Sequence, residues 1–177
     1  MLRLFAAIEI PQTHRLRLSL ETAPLPGAKW VEPEDMHLTL RFAGDIDNRV
    51  ASDFADYLAG IDIAPFPVRI TGLASFGGRE PRTIHAEVDG GDRLDALYRA
   101  TDRAARAAGI AAEPRAYKPH ITLARLRGTT PEFVAHYLGT RALLDLPPFT
   151  VDHFALLSAR PKVGGGPYVV EERFGLG

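Results

Sequence analysis

Cysteine is absent from the 177-residue chain. That excludes disulfide staples, thiolate zinc sites and cysteine nucleophiles together. It also fits a reducing compartment, and the cytoplasm is the expected location. No apolar run approaches the roughly 18 residues of a membrane-spanning helix. The apolar opening MLRLFAAIEI is too short for a signal-peptide core and stops at Pro11. An excess of charge of one sign is lacking too: the formal net charge is −1, so no global positive field draws nucleic acid. A nucleic-acid partner is therefore expected to be short, or met at one end. No HExxH motif occurs, and no low-complexity linker divides the chain. Nothing implies a membrane or protein partner.

What is there is ordinary globular composition, 46% hydrophobic and 24% charged, in a length that suits a single domain over 1–177, built as one body or two small lobes. Apolar spacing and turn residues predict strands over 2–10, 29–31, 37–43, 66–76, 83–88, 120–126, 149–158 and 168–174. They predict helices over 11–22, 48–58, 91–108 and 131–138. Gly44 is expected to end the third strand. Strands and helices interleave, but several strands follow one another directly. That order favours an α+β design with antiparallel pairing over a parallel doubly wound sheet.

One internal echo carries chemistry. HLTL at 37–40 and HITL at 120–123 repeat the pattern His-x-Thr-x in strand context. Side chains alternate across a strand. His37 and Thr39 thus share one face, as do His120 and Thr122, while leucine and isoleucine anchor the other. Two such strands meeting about a pseudo-twofold axis would gather two imidazoles and two hydroxyls at one cleft. That set suits in-line attack on a phosphodiester: one neutral imidazole takes a proton from water and one imidazolium gives a proton to the departing oxygen. The Thr hydroxyls donate to the non-bridging oxygens and a nearby Arg balances their charge. Arg41, four residues after His37, has the right parity for that role. Tyr117, ahead of the second motif, is placed to stack on a base, or to pack. Phe42 and Trp30 read as packing residues, and Lys118 as rim. His14 and His136 fall on expected helices and read as exposed; His85 and His153 lack a Thr partner and read as structural.

At these residues the sequence resembles the 2H phosphoesterase superfamily, and within it the RNA 2′,3′-cyclic phosphodiesterase family, also called 2′-5′ RNA ligases. RLFAAIEIP is similar to that family's first strand, KWVEPEDMHLTLRFAGDI to its first motif and YKPHITLAR to its second. FALLSAR and PYVVEERF look like its closing strands. The resemblance implies a bilobal α+β fold: two pseudo-twofold-related antiparallel-sheet lobes with outer helices and a central cleft, each lobe supplying one HxTx strand. It implies hydrolysis of RNA 2′,3′-cyclic phosphate to a 2′-phosphate without metal or nucleotide cofactor, with reverse 2′-5′ joining as an accompanying activity. It implies His37 as proton donor and His120 as acceptor. It also favours Arg125 as the phosphate clamp, although strict alternation turns Arg125 to the opposite face from His120, so a bulge is needed to swing it round.

Three other readings compete. Asp35, His37 and His120 could ligate a metal, but threonine is a feeble ligand and leaves the doubled HxT unexplained. A non-catalytic RNA-end-binding module would not need both a proton donor and an acceptor. A third reading keeps the chemistry and changes the substrate to a small cyclic-phosphate or 2′-5′-linked nucleotide.

Overall fold

Phe66, Val68 and Ile70 are buried while Pro67, Arg69 and Thr71 are exposed, the period-two pattern of a strand with one covered face. Leu94, Leu97, Thr101, Ala104 and Ala105 are buried at spacings of three and four, the stripe of a helix lying on a core. The computed structural model describes residues 1–141 and 144–177. Its strands are β1 (Leu2–Glu9), β2 (Ala28–Trp30), β3 (His37–Ile46), β4 (Phe66–Phe76), β5 (Thr83–Asp89), β6 (His120–Leu126), β7 (Phe149–Val151), β8 (His153–Ala159) and β9 (Val169–Gly175). The helices are α1 (Gln12–Ser19), α2 (Asn48–Ala59), α3 (Gly91–Ala107) and α4 (Pro131–Gly139), with one 3₁₀ turn at Pro33–Asp35. None is long and apolar enough to cross a membrane among the described residues.

The strands form one antiparallel sheet in the order β7-β4-β5-β6-β3-β1-β8-β9, with β2 paired to β6. Outward from its middle, one half runs β3, β1, β8, β9 and the other β6, β5, β4, β7. The halves are joined where β3 meets β6, with Leu38 opposite Ile121. An antiparallel pair has a local twofold axis through such a position, and that axis carries His37 onto His120 and Thr39 onto Thr122. The α+β architecture with two related antiparallel halves is thus as expected, and one apolar cluster (Leu4, Ile8, Leu38, Ile84, Ile121 and Phe154 among its members) draws on both.

Two expectations need correction. The segment 149–158 is not one strand: it breaks at Asp152, so β7 adds to β4 and β8 lies between β1 and β9. A single residue therefore links near-opposite ends of the strand order, which requires the sheet to curl. Gly44 does not end β3 either. It adopts φ +79° at a register shift against β1, and the strand continues to Ile46. A glycine absorbs the left-handed residue that such a bulge demands.

Candidate active site

Both motif histidines are held by the same device. His37 Nδ1 lies 2.8 Å from the Asp35 carbonyl oxygen, and His120 Nδ1 lies 2.7 Å from that of Lys118. A carbonyl only accepts, so Nδ1 carries the hydrogen in each ring and Nε2 is left as the working atom. The 3₁₀ turn aims the first carbonyl. Pro119, which keeps the preceding Lys118 extended, aims the second. Aromatic rings flank each imidazole. Phe5 and Tyr168 lie 4.8 and 4.9 Å from His37 between centroids, and Phe76 and His85 lie 4.9 and 5.2 Å from His120.

The arginines exchange the places that strict alternation gives them. On β3, Ala6 pairs with Arg41 and Ala7 with Thr39, so Leu40 is an extra residue, a bulge. Leu40 and Arg41 are consequently both buried, and alternation resumes with the opposite sense. Arg41 is only 3% exposed. Its Nε donates to Asp102 at 2.9 Å, its Nη1 lies 3.6 Å from Glu113, and it also donates to the carbonyls of Phe42 and Ala111. Arg41 is therefore not the phosphate ligand that parity makes it: the bulge turns it into the protein, where it ties the loop before the second motif to β3. Phe42, expected in the core, is turned out by the same bulge and is 40% exposed.

The second motif repeats the device. Ile84 pairs with Ala124 and His85 with Thr122, which leaves Leu123 as the bulge. Arg125 thereby swings onto the His120 and Thr122 face, as its candidacy required. It is exposed, donates to the Tyr168 hydroxyl at 3.1 Å, and lines one cavity with His37. The guanidinium from one half of the sheet thus lines a cavity with the imidazole of the other.

Burial pushes the His37 imidazole down to about 4, against its bond to the Asp35 carbonyl, which favours the charged form; the Arg125 guanidinium adds to the lowering. His85 is likewise lowered to about 4, by burial and then by His120. His85 is 3% exposed, stacks on Phe76 at 4.0 Å, and its Nδ1 has no hydrogen-bond partner among the described residues. Tyr117 is already engaged. Its ring stacks on Tyr98 at 4.0 Å, and its hydroxyl donates to the Thr39 carbonyl at 3.0 Å. Burial raises its pKa. With one face covered, it braces the first motif rather than offering a free stacking platform on both sides. His14 is buried and bonded to the Pro147 carbonyl at 2.7 Å, not exposed, whereas His136 is exposed as expected.

Asp35 holds the site from a second direction. Its Oδ1 accepts from the Tyr168 amide at 3.2 Å, which fixes the loop between β8 and β9. A Cβ on Gly166 would meet the Asp35 carboxylate, which would have to shift to admit it. Two cavities flank the histidines. One of about 280 Å³ is lined by His37, Thr39, Phe42, Arg125 and Tyr168. The other, about 660 Å³, is lined by His120, Thr39, Phe42, Phe76 and Tyr117. Thr39 and Phe42 border both, so the cleft runs from one imidazole to the other past the Thr39 side chain. Sequence reasoning missed Phe5, Phe76 and Tyr168 beside the histidines. They come from three other strands or loops, and only register could have placed them.

Comparison with known proteins gives a consistent pattern. Residues 8–162 match the model of the 2′-5′ RNA ligase superfamily. A Bacillus subtilis protein named RNA 2′,3′-cyclic phosphodiesterase is 39% identical over 111 residues, 61% of this chain and 61% of that protein, so the match spans less than two thirds of its length. A Thermus thermophilus protein of the same name is 34% identical over 189 aligned positions, covering 99% of this chain and 90% of that one. A crystal structure of a Thermus thermophilus protein shares the fold with a TM-score of 0.78 and 28% identity, covering 98% of this chain and 97% of that one.

Proposed function

Since the chain belongs to the 2′-5′ RNA ligase superfamily, we propose that it opens 2′,3′-cyclic phosphates at RNA ends to give 2′-phosphates, by acid–base catalysis between His120 and His37. Neutral His120 takes a proton from water through Nε2 as the water oxygen bonds to phosphorus. The P–O3′ bond breaks on the opposite side, and His37 delivers a proton from Nε2 to O3′. Thr39, Thr122 and Arg125 hold the non-bridging oxygens, and their donors act most strongly as charge grows there. The observation that carries this reading is the shared lock of Nδ1 on the carbonyl two residues back. It leaves two equivalent Nε2 atoms for proton transfer, whereas simple anion binding would need no fixed tautomer.

The donor role sets a condition on His37. Burial keeps its imidazole neutral in the free protein at neutral pH. A bound phosphodiester brings a negative charge that opposes the Arg125 guanidinium and favours the imidazolium. In this reading the substrate charges its own acid. The chain acts as one catalytic unit, because each half of the sheet supplies one histidine, and it needs no metal or nucleotide cofactor. We place it in the cytoplasm, with RNA ends or short oligonucleotides as its partners.

The test is incubation with a 2′,3′-cyclic-phosphate oligonucleotide in EDTA without ATP, with the product's phosphate position resolved by chromatography against standards. A 2′-phosphate product is expected. Dependence on added divalent ions, or a 3′-phosphate product, would overturn the proposal.

A further inference from the structure

Lys29 on β2 stands opposite Arg125 on β6. Directly paired residues of antiparallel strands point the same way, with Cβ atoms roughly 5 Å apart. The bulge at Leu123 turns Arg125 onto the face of His120 and Thr122, so Lys29 shares that face. Both side chains are exposed, and neither takes part in an ion pair among the described residues. Like charges directly opposite one another weaken a sheet. Folding therefore gains nothing from this pair, whereas an anion laid across it would. A third cation stands close by. Arg160 follows β8, and a Cβ on Gly165 would come within 3.3 Å of its Nη2, so the guanidinium lies against that glycine. Arg160 is likewise exposed and without an ion pair among the described residues.

Lys29, Arg125, Arg160 and Gly165 line one cavity of about 690 Å³. It adjoins the 280 Å³ cavity of His37, because Arg125, Gly165 and Tyr168 border both. Its acids match its bases in number. Asp35 is bonded to the Tyr168 amide, and Glu32 and Glu34, at the 3₁₀ turn, line the same wall. Such a wall is a poor track for a long polyanion and suits a single phosphate held at the cations.

In-line displacement says which group arrives here. The attacking and departing oxygens lie on opposite sides of phosphorus. With His120 taking the proton of the attacking water and His37 protonating O3′, the ribose that carries O3′ lies toward His37. The 280 Å³ cavity there is small for more than one nucleoside, since pockets for drug-sized ligands start at about 300 Å³. The next group along the strand then falls in the adjoining cavity. We infer that Lys29 and Arg160 form a second phosphate site, which takes the phosphodiester joining the terminal nucleotide to the strand behind it. This rests on the roles given to the two histidines under the proposed function. A free cyclic mononucleotide has no such phosphate, so the site selects strand ends over mononucleotides. One flanking phosphate suffices for that choice, in keeping with a chain of net charge −1.

The experiment compares three substrates with the same terminal nucleoside: a 2′,3′-cyclic mononucleotide, a dinucleotide ending in a 2′,3′-cyclic phosphate, and that dinucleotide with an uncharged methylphosphonate as its internal linkage. Wild-type protein is expected to open the ordinary dinucleotide with a kcat/KM at least about tenfold above the other two, the size of one charge-assisted contact. In the double variant Lys29→Gln/Arg160→Gln that advantage should shrink to about twofold or less, while kcat/KM for the mononucleotide stays within about twofold of wild type. The retained mononucleotide turnover also reports that the variant is folded. Wild-type protein that gains nothing from the second phosphate would overturn the inference. So would an advantage that survives in the double variant, because the phosphate would then lie elsewhere, such as against Arg82 and Arg115 in the cavity beside His120. Equal losses on all three substrates would overturn it too, since the two cations would then act on the phosphate under attack or on the fold. Wild-type protein that opens none of the three would instead sink the underlying reading, and this with it.

Discussion

Leu38 stands opposite Ile121 across the junction of β3 and β6, and both side chains are 0% exposed. Theirs is the one register pair between the two strands among the described residues, and it is flanked by His37 and Thr39 on β3 and by His120 and Thr122 on β6. The spacing of the working groups therefore hangs on one apolar contact. Leu38→Ala is expected to cost about 2–5 kcal/mol in urea unfolding, the usual range for a buried leucine. It should also lower turnover in the protein that remains folded. Leu58→Ala, equally buried but on α2, should cost similar stability and leave turnover of the folded fraction nearly intact. Equal losses of turnover in the two variants would show that the junction does not position the histidines.

The two arginines that parity confused should separate in their phenotypes. Arg41→Ala leaves Asp102 with Arg106 as its remaining partner at 3.0 Å and removes the bonds that tie the Ala111 carbonyl and Glu113 to β3, a loss of about 1.5–3 kcal/mol for each charge-assisted bond. A large fall in Tm is expected. Arg125→Ala should leave Tm nearly unchanged and reduce turnover about ten- to a hundredfold. That is the effect of losing one charge-assisted hydrogen bond of about 1.5–3 kcal/mol in the transition state. A stable, inactive Arg41→Ala together with an unstable, active Arg125→Ala would reverse the assignment.

These two positions also show where the sequence stops being legible. The doubled HxTx pattern and the antiparallel halves could be read because residue identity and period-two spacing survive folding unchanged. The bulge at Leu40 could not, and the one at Leu123 was required only by the family resemblance of Arg125: a single extra residue inverts the facing of everything after it, and nothing in LTLRF or ITLAR by itself announces it. Arg41, Phe42 and Arg125 all turned on that inversion. His14 misled for a different reason. Its imidazole is bonded to the Pro147 carbonyl, a contact 133 residues away that no local pattern encodes. The break at Asp152 was hidden because strand-forming residues stand on both sides of it, Phe149–Val151 and His153–Ala159, while their pairing partners change.

Two buried neutral imidazoles make stability depend on acid. His37 and His85 titrate near 4 in the folded protein, against about 6.5 for an unfolded histidine. Between those values the unfolded state binds more protons, so the contribution present above pH 6.5 is lost as pH falls toward 4. His85→Phe keeps a ring against Phe76 and removes one titrating group along with an unpartnered nitrogen. The variant's urea midpoint should drop less than the wild-type midpoint between pH 7.5 and 4.5. Identical drops would mean that His85 does not stay neutral in the folded state.

The division of labour between the histidines is the central claim, and the substrate's leaving group tests it most directly. On a natural 2′,3′-cyclic-phosphate end, His37→Ala and His120→Ala should each reduce turnover by about 10²–10⁴-fold, the usual size of one general acid–base contribution. A nitrophenyl phosphodiester has a leaving oxygen that needs no proton, so only the loss of the acceptor should matter there. The measurement is turnover of both variants on both substrates. His37→Ala is expected to recover most of its activity on the nitrophenyl ester while His120→Ala stays impaired. Recovery of His120→Ala instead would exchange the two roles, and recovery of neither would contradict acid–base catalysis by this pair.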